Sequence, residues 1–359
     1  MIVALVGGTF DEDGGKVSKI IDRMGEVITG RGHTLLCKNG GLVKDLSDII
    51  ANLPPCDAIL WFPNVPNKFP KFRNVKEVFP HTTLVTSKRN IGNKYTFADM
   101  VNRALGTKSS FMVEYIKDCN GVYNGRLFDA LGCVWVDFTP NFAELITRLF
   151  ERIEFIRKLK REGSVCVGPA NKVPDQPEFF KLVHNLADVF HSLVHPAKGV
   201  KRFLGNASFR CERGFPAFRN AENRIFVSRR NVDKRFINRN AFVEVRLVDN
   251  KVIYRGEHKP SVDAPIMTRL FSEFPEINYI IHSHVYVEGA PFTKHALPCG
   301  SVEEFDEIIL AHSGSGADTS NFSINLLGHG SIVLAREVLY LTEVKYYARP
   351  TPELMNDSP

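Results

Sequence analysis

Hydrophobic positions in the first half of the chain alternate between two spacings. Short apolar or β-branched runs, typical of buried strands, occur at residues 2–6, 58–62 and 82–86. Between and after these runs, apolar residues recur at helical spacing, as at residues 17–27 and along residues 142–160. This alternation of strands and helices predicts an α/β unit with an open, mostly parallel sheet.

The pattern changes at residues 163–177, where a group of helix-breaking residues occurs: Gly163, Gly168, Pro169, Pro174 and Pro177. We therefore predict a linker there. It would join a Rossmann-like or flavodoxin-like domain at residues 1–162 to a second domain at residues 178–350, followed by a tail at residues 351–359. The second domain opens with a helical pattern and continues with β-rich sequence.

Composition and charge are those of an ordinary globular protein. The 359 residues are 44% hydrophobic and 24% charged, enough for two domains with their own cores. The seven cysteines include no CxxC pair, which favours reduced thiols in a cytoplasmic setting. We expect no secretory signal and no membrane-spanning segment. The net charge of +6 suits an anionic small molecule.

Glycines near the N terminus mark a candidate phosphate site. The predicted strand at residues 2–6 runs into Gly7, Gly8 and Thr9 ahead of a predicted helix. Such strand-to-helix turns bind phosphates in α/β proteins. The sequence is not GxGxxG, and the acidic residues at 11–13 would repel a phosphate on this loop. We therefore expect a tight βα turn, with a nucleotide, sugar-nucleotide or flavin site at these three residues as the alternative.

Three histidines in the second domain form a pattern typical of a catalytic metal site. His282 and His284 are two residues apart in a predicted strand, so their side chains project to the same face. His329, from another predicted strand, would complete a set of three nitrogen ligands and leave positions open for water or substrate. An HxH pair alone is a weak signal, because such pairs are more often structural or incidental.

Four motifs occur in order along the second domain. They are GNAS at 205–208, KPSVDAP at 259–265, FPEINYIIHSH at 274–284 and LLGHG at 326–330. With these motifs, residues from about 178 to 348 resemble the class II aldolase/adducin family, which includes L-fuculose-phosphate aldolase and L-ribulose-5-phosphate 4-epimerase. The resemblance implies an α/β domain with a central, mostly antiparallel sheet.

The resemblance also implies a role for each motif. His282, His284 and His329 would bind Zn²⁺ or another divalent metal, and Asp263 would act as general acid/base or as a fourth ligand. The phosphate or hydroxyl groups of the substrate would be held by a further set of residues: Gly205, Asn206, Ser208 and Ser261. Such a metal stabilises the enediolate that forms when a carbon–carbon bond next to a carbonyl breaks. Relatives build their sites between subunits of a tetramer, which predicts a homo-oligomer.

The sequence departs from the family pattern at the phosphate-binding turn. Relatives usually have Thr-Gly or Ser-Gly there, whereas this chain has Arg229 and Arg230. Arginine binds phosphate bidentately, so we predict that these two residues contact a larger or more charged substrate. The alternative is a solvated basic surface. No aromatic residues accompany the basic run in a way that would indicate nucleic-acid binding.

The sequence as a whole predicts a zinc-dependent lyase or epimerase that acts on a phosphorylated sugar or a related hydroxy-carbonyl compound. Asp263 favours the epimerase branch, whereas the short sequence after Tyr347 argues against it, and a dehydratase reaction stays open. One alternative is a non-catalytic, adducin-like binding or scaffold module, which the complete histidine set disfavours. Another is a bifunctional enzyme whose N-terminal domain binds a nucleotide or nucleotide-sugar.

Overall fold

The computed structural model describes most of the chain, namely residues 1–66, 75–159, 164–194, 205–211, 224–249, 251–316, 318–350 and 352–355. These residues form two compact units. The first comprises the chain up to Phe155 together with a short segment near the C terminus, and the second comprises the described residues between Ile156 and Pro350. Both units mix helices and strands, which confirms the predicted α/β class. None of the described helices combines the length and the hydropathy that a membrane span requires.

The first unit is built on a mostly parallel sheet. Its elements are β1 (Ile2–Asp11), α1 (Lys19–Gly30), β2 (Thr34–Leu42), α2 (Asp45–Asn52), β3 (Ala58–Trp61), α3 (Val75–Val78), β4 (Thr83–Arg89), α4 (Phe97–Thr107), β5 (Phe111–Lys117), β6 (Tyr123–Asp129), β7 (Cys133–Thr139) and α5 (Phe142–Leu159). The strands lie in the order β7-β6-β5-β4-β3-β1-β2. Strands β2, β1, β3, β4 and β5 are parallel, and β6 and β7 are antiparallel.

Apolar periodicity explains how this sheet is covered. The continuous apolar strand β3 is fully buried, as expected for a parallel strand with helices on both faces. Helix α5 places its periodic apolar positions inside, and the fully buried ones are Leu145, Ile146, Leu149, Phe150 and Ile153. The Rossmann-like, mostly parallel architecture predicted for this part of the chain is therefore confirmed.

The second unit is built on a mostly antiparallel sheet. Its elements are β8 (Val165–Cys166), α6 (Pro177–Val194), β9 (Asn206–Arg210), β10 (Ile225–Ser228), β11 (Phe242–Val248), β12 (Lys251–Tyr254), α7 (Ala264–Glu273), β13 (Tyr279–Ser283), β14 (Tyr286–Val287), α8 (Glu303–Ser315), β15 (Asn321–Leu326), β16 (Gly330–Ala335), α9 (Val338–Glu343) and β17 (Tyr346–Tyr347). The main sheet has the order β15-β16-β13-β9-β10-β11-β12-β8, in which only β12 and β8 are parallel among the described pairs.

Side chains of this sheet alternate between two apolar layers. Phe209 of β9 and Ile281 of β13 belong to the layer that contains the α6 residues Phe179 and Phe180. Ile280 belongs to the opposite layer, together with residues of α7 and α8. Because alternate strand residues share a face, the residue two positions after Ile280 also points toward the α7 and α8 side. That residue is a histidine.

Two short strands lie where the sequence predicted a linker and a tail. Val165 and Cys166 form β8 and pair with β12, although they fall inside the predicted linker. Near the C terminus, β18 (Glu353–Leu354) pairs in parallel with β7 of the first unit. Two residues are too few to show an alternating pattern, so pairing with a neighbouring strand, rather than local sequence, determines whether such a strand forms. Residues 160–163 and 356–359 lie outside the described residues, and the predicted domain boundaries stay predictions.

Candidate metal centre

Three histidines converge at one end of the second sheet. His282 lies in β13 and His284 just beyond it, while His329 lies in the turn between β15 and β16. Ring centroids are 5.1 Å apart for His282 and His284, 4.6 Å for His282 and His329, and 5.1 Å for His284 and His329. One ligand nitrogen from each ring lies within 4.8 Å of the other two. The structure thus brings the three predicted ligands together.

A backbone carbonyl orients the His282 ring. Nδ1 lies 2.9 Å from the carbonyl oxygen of Ser331. A carbonyl only accepts, so Nδ1 carries the proton and Nε2 presents a lone pair. This Nε2 is buried and has no hydrogen-bond partner among the described residues. Burial, with a further contribution from His329, lowers the pKa of His282 to about 4. The ring is therefore neutral at pH 7, as coordination requires.

A buried carboxylate orients the His329 ring. Glu304 of α8 places Oε1 2.7 Å from Nδ1 of His329, and the two side chains are 4% and 1% exposed. Burial alone would lower the pKa of His329, but the Glu304 carboxylate outweighs this effect and holds that pKa well above its usual value. Carboxylates behind metal-binding histidines fix the ring orientation and strengthen the ligand. Sequence reasoning missed Glu304, because nothing local distinguishes it from Glu303 beside it.

Asp263 lies beside the histidines at the start of α7. Its Oδ2 accepts hydrogen bonds from Nδ2 of Asn206 at 2.7 Å and from Oγ of Ser261 at 3.4 Å. Its Oδ1 accepts one from Sγ of Cys299 at 3.3 Å. Asp263 occupies the N-cap position of α7 but does not cap the helix with its side chain. The carboxylate is instead held by these neighbours, in a position that is 4% exposed.

The GNAS motif supports β13 from the neighbouring strand. Asn206 is paired with His282, and Ser208 with Ile280. Gly205 has a φ of +77°, and a Cβ there would lie 2.5 Å from the carbonyl oxygen of His282, so only glycine fits. Ser208 is fully buried and lies two residue pairs further from His282 along the strand than Asn206 does. The strand therefore brings Asn206 to the site and leaves Ser208 deeper in the sheet.

The two predicted phosphate-binding arginines lie next to the Asp263 segment. Arg229 forms a backbone bridge with Pro260, and the Arg230 amide donates to the carbonyl of Lys259 at 2.9 Å. The amide of Ser261 in turn donates to the carbonyl of Ser228 at 3.0 Å. Arg229 is half-buried and Arg230 is exposed. Strand pairing therefore places the arginine turn beside the KPSVDAP segment, which is far away in sequence.

Sequence reasoning also did not single out Lys234 and Cys299. Lys234 begins a 3₁₀ helix (Lys234–Phe236) and is only 9% exposed. Burial lowers its pKa to about 8, against the opposing effects of Asp263 and Asp233. In the sequence, Lys234 is one member of a basic run, and Cys299 is one of several scattered cysteines. Only the folded chain shows that both lie near Asp263.

In the first unit, the structure places Gly7, Gly8 and Thr9 inside β1 rather than in a turn. The expectation of a tight βα turn is therefore wrong. The strand continues because the Thr9 amide donates to the carbonyl of Lys16 at 2.8 Å, which folds the next segment back onto it. Gly8 has a φ of +78°, and a Cβ would lie 2.6 Å from Oδ1 of Asn39. Close chain packing accounts for this glycine, and the nucleotide site stays a prediction.

Comparison with known proteins relates the second unit to a family. A model of the family described as Class II Aldolase and Adducin N-terminal domain matches residues 184–299. This match lies within the second unit and agrees with the resemblance that the four motifs carry. The similarity supports an enzyme of the aldolase or epimerase type. A search of curated proteins found no match.

Solved structures also resemble parts of the chain at low identity. L-fuculose 1-phosphate aldolase has 14% identity and a TM-score of 0.32, covering 48% of this chain and 82% of that one. The DNA/pantothenate metabolism flavoprotein from Streptococcus pneumoniae has 12% identity and a TM-score of 0.36, with coverage of 43% and 97%. The C-terminal domain of the coenzyme A biosynthesis bifunctional protein CoaBC has 11% identity and a TM-score of 0.34, with coverage of 44% and 95%.

Proposed function

We propose that the second unit is a zinc-dependent lyase or epimerase that acts on a phosphorylated sugar or a related hydroxy-carbonyl compound. The observation that carries the proposal is the convergence of three imidazoles beside a held carboxylate, Asp263. A scaffold domain has no need for such a set, because clustered buried imidazoles are costly unless they bind something. The scaffold alternative therefore has less support.

The donor set fits a divalent metal. His282, His284 and His329 each offer one nitrogen, and the ligand atoms lie within 4.8 Å of one another. Nε2 of His282 is buried without a hydrogen-bond partner in the described part of the chain, as expected of a nitrogen reserved for a ligand. Nitrogen-rich sites of this kind suit Zn²⁺. Such an ion supplies a Lewis acid that stabilises negative charge on the oxygens of a hydroxy-carbonyl substrate.

Asp263 would carry the proton. Breaking the carbon–carbon bond removes a proton from the substrate hydroxyl at the cleaved bond, and the reverse step returns it. Asn206 holds Oδ2 at 2.7 Å, which leaves Oδ1, contacted only weakly by the Cys299 thiol at 3.3 Å, as the atom that exchanges protons. In an aldolase the aldehyde then leaves, whereas in an epimerase it turns and bonds again.

Arg229, Arg230 and Ser261 would bind the phosphate of the substrate. Backbone pairing sets the arginine turn beside the segment that carries Ser261. A charged hydrogen bond of this kind contributes about 1.5–3 kcal/mol, or about 10- to 150-fold in binding. Replacing both arginines by alanine should raise the KM for a phosphorylated substrate at least about tenfold. Arg239→Ala, an exposed arginine of the same basic run, is the matched control and should change the KM little.

The proposed reaction is tested with a panel of phosphorylated ketoses and aldoses. Release of an aldehyde, followed with a coupled dehydrogenase, indicates an aldolase, and a change of stereochemistry without release indicates an epimerase. Asp263→Asn should lower kcat by about 100- to 10,000-fold while the protein keeps its metal. Turnover that survives in a His282→Ala, His284→Ala variant would contradict the proposal.

We also propose that the protein is a homo-oligomer, in line with the resemblance to a tetrameric family. Light scattering coupled to size exclusion measures this directly. A monomer at micromolar concentration with full activity would contradict it.

A further inference from the structure

The side chains around Cys299 are unusual for a cysteine with a purely structural role. It precedes α8, and its thiol donates to Oδ1 of Asp263 at 3.3 Å. Ligand atoms of Asp263, Cys299 and His329 all lie within 4.8 Å of one another. Among the described residues, no other cysteine belongs to such a group.

His329 links this group to the histidine cluster. The same residue belongs to both sets of donors, so His329 places the Cys299 thiol next to the histidine cluster. Nε2 of His282, in the histidine cluster, is buried with no hydrogen-bond partner among the described residues. Glu304 engages Nδ1 of His329 at 2.7 Å, which turns the other ring nitrogen toward the cluster. The unpaired nitrogen points to a ligand at the histidine cluster, and the shared His329 places the Cys299 thiol beside that cluster.

We infer that Cys299 is a fourth protein ligand of the metal bound by His282, His284 and His329. The inference rests on the proposed metal-dependent function and adds a donor that the histidine motif does not contain. On binding, the Sγ–H bond breaks, the proton passes to solvent, and the thiolate sulfur donates an electron pair to the metal. No oxidant or reductant is involved.

This assignment gives Cys299 and Asp263, whose side chains are in contact, two different roles. With the sulfur as ligand, the Asp263 carboxylate stays outside the inner ligand set and keeps its role as proton carrier. The Cys299 thiolate would also set the metal preference of the site, because a thiolate is a soft ligand that selects zinc over magnesium or manganese. A set of three imidazoles and one carboxylate would discriminate between these metals less strongly.

Cobalt(II) substitution distinguishes these two ligand sets. Chelator-treated full-length protein is titrated with Co²⁺, and the absorption spectrum is recorded for the wild type, for Cys299→Ser and for Cys166→Ser. Cys166 is an exposed cysteine of the same unit and serves as the matched control. A near-ultraviolet thiolate-to-cobalt charge-transfer band is expected in the wild type and in Cys166→Ser. The band should be lost in Cys299→Ser, which keeps the visible ligand-field bands of the histidine site.

Each outcome separates this inference from the proposed function. Cobalt bound at one per chain without a thiolate band in the wild type would overturn the role of Cys299 and leave the three-histidine site standing. A wild-type protein that binds no cobalt would overturn both. If Cys299→Ser does not fold, zinc X-ray absorption of the wild type gives the same answer, because one sulfur neighbour supports the inference and none contradicts it.

Discussion

Replacing Glu304 by glutamine should weaken metal binding while leaving the fold intact. The two side chains have the same shape, and the amide oxygen can still accept the hydrogen bond from Nδ1 of His329, which is 2.7 Å from Oε1 in the wild type. The variant loses only the negative charge. That charge lies where the side chains of His329 and Glu304 are 1% and 4% exposed, so water screens it poorly.

The expected loss is about 10- to 100-fold in metal affinity, which corresponds to about 1.4–2.8 kcal/mol. Proton competition acts in the opposite direction. The Glu304 carboxylate raises the pKa of His329 well above its usual value, so below that pKa the metal must displace a proton from the ring. Glutamine removes this competition. The difference between the wild type and Glu304→Gln should therefore be largest at alkaline pH and should shrink as the pH falls.

Competition titration with a chromogenic zinc chelator, from about pH 6 to about pH 9, measures this difference. Glu307→Gln is the matched control, because Glu307 also lies on α8 and engages a histidine, His295, at 2.7 Å. The control should bind zinc as the wild type does. Equal affinities of Glu304→Gln and wild type at alkaline pH, or equal losses in both variants, would refute the role assigned to Glu304.

Three further predictions concern Asn206, His282 and Phe209. Asn206→Ala should lower kcat about tenfold at unchanged zinc content, because Asp263 loses the 2.7 Å bond that orients it; steady-state kinetics and elemental analysis check this. In the metal-free protein, the contribution of His282 to the free energy of unfolding should fall by roughly 3 kcal/mol from pH 6.5 to pH 4, because its folded pKa is about 4 against an unfolded value of 6.5. Urea titrations check this, and an equal slope in His282→Gln would contradict it. Phe209→Ala should cost about 3–5 kcal/mol in chemical denaturation, since that ring is fully buried on the face opposite the histidines, and zinc stoichiometry should not change.

Local sequence was sufficient wherever periodicity or motif spacing determined the structure. The apolar runs predicted the parallel sheet because such strands are buried on both faces. The i, i+2 spacing of His282 and His284 predicted one shared direction, and the ring centroids are 5.1 Å apart. The family resemblance that the KPSVDAP motif helps to carry implied that Asp263 would join them, and its hydrogen bond with Asn206 is consistent with that expectation.

Residues that only tertiary packing brings to the site could not be predicted. Glu304 and Cys299 approach the histidines because α8 and the loop before it pack against the sheet, and neither carries a local signal. Alternation indicates which face a strand residue uses but not its depth, so Ser208 shares a face with Asn206 yet pairs with Ile280 rather than with a histidine. Non-local pairing likewise explains the error at Gly8, where β1 continues through a predicted turn.

Zinc stoichiometry tests the central claim most directly. Protein purified without chelator should contain about one zinc or similar divalent ion per chain by elemental analysis, and a His282→Ala, His284→Ala variant that melts cooperatively should contain none. Cys56→Ser, which changes a cysteine of the first unit, should keep the metal. A metal-free wild type, or a double variant that retains its metal, would contradict the account.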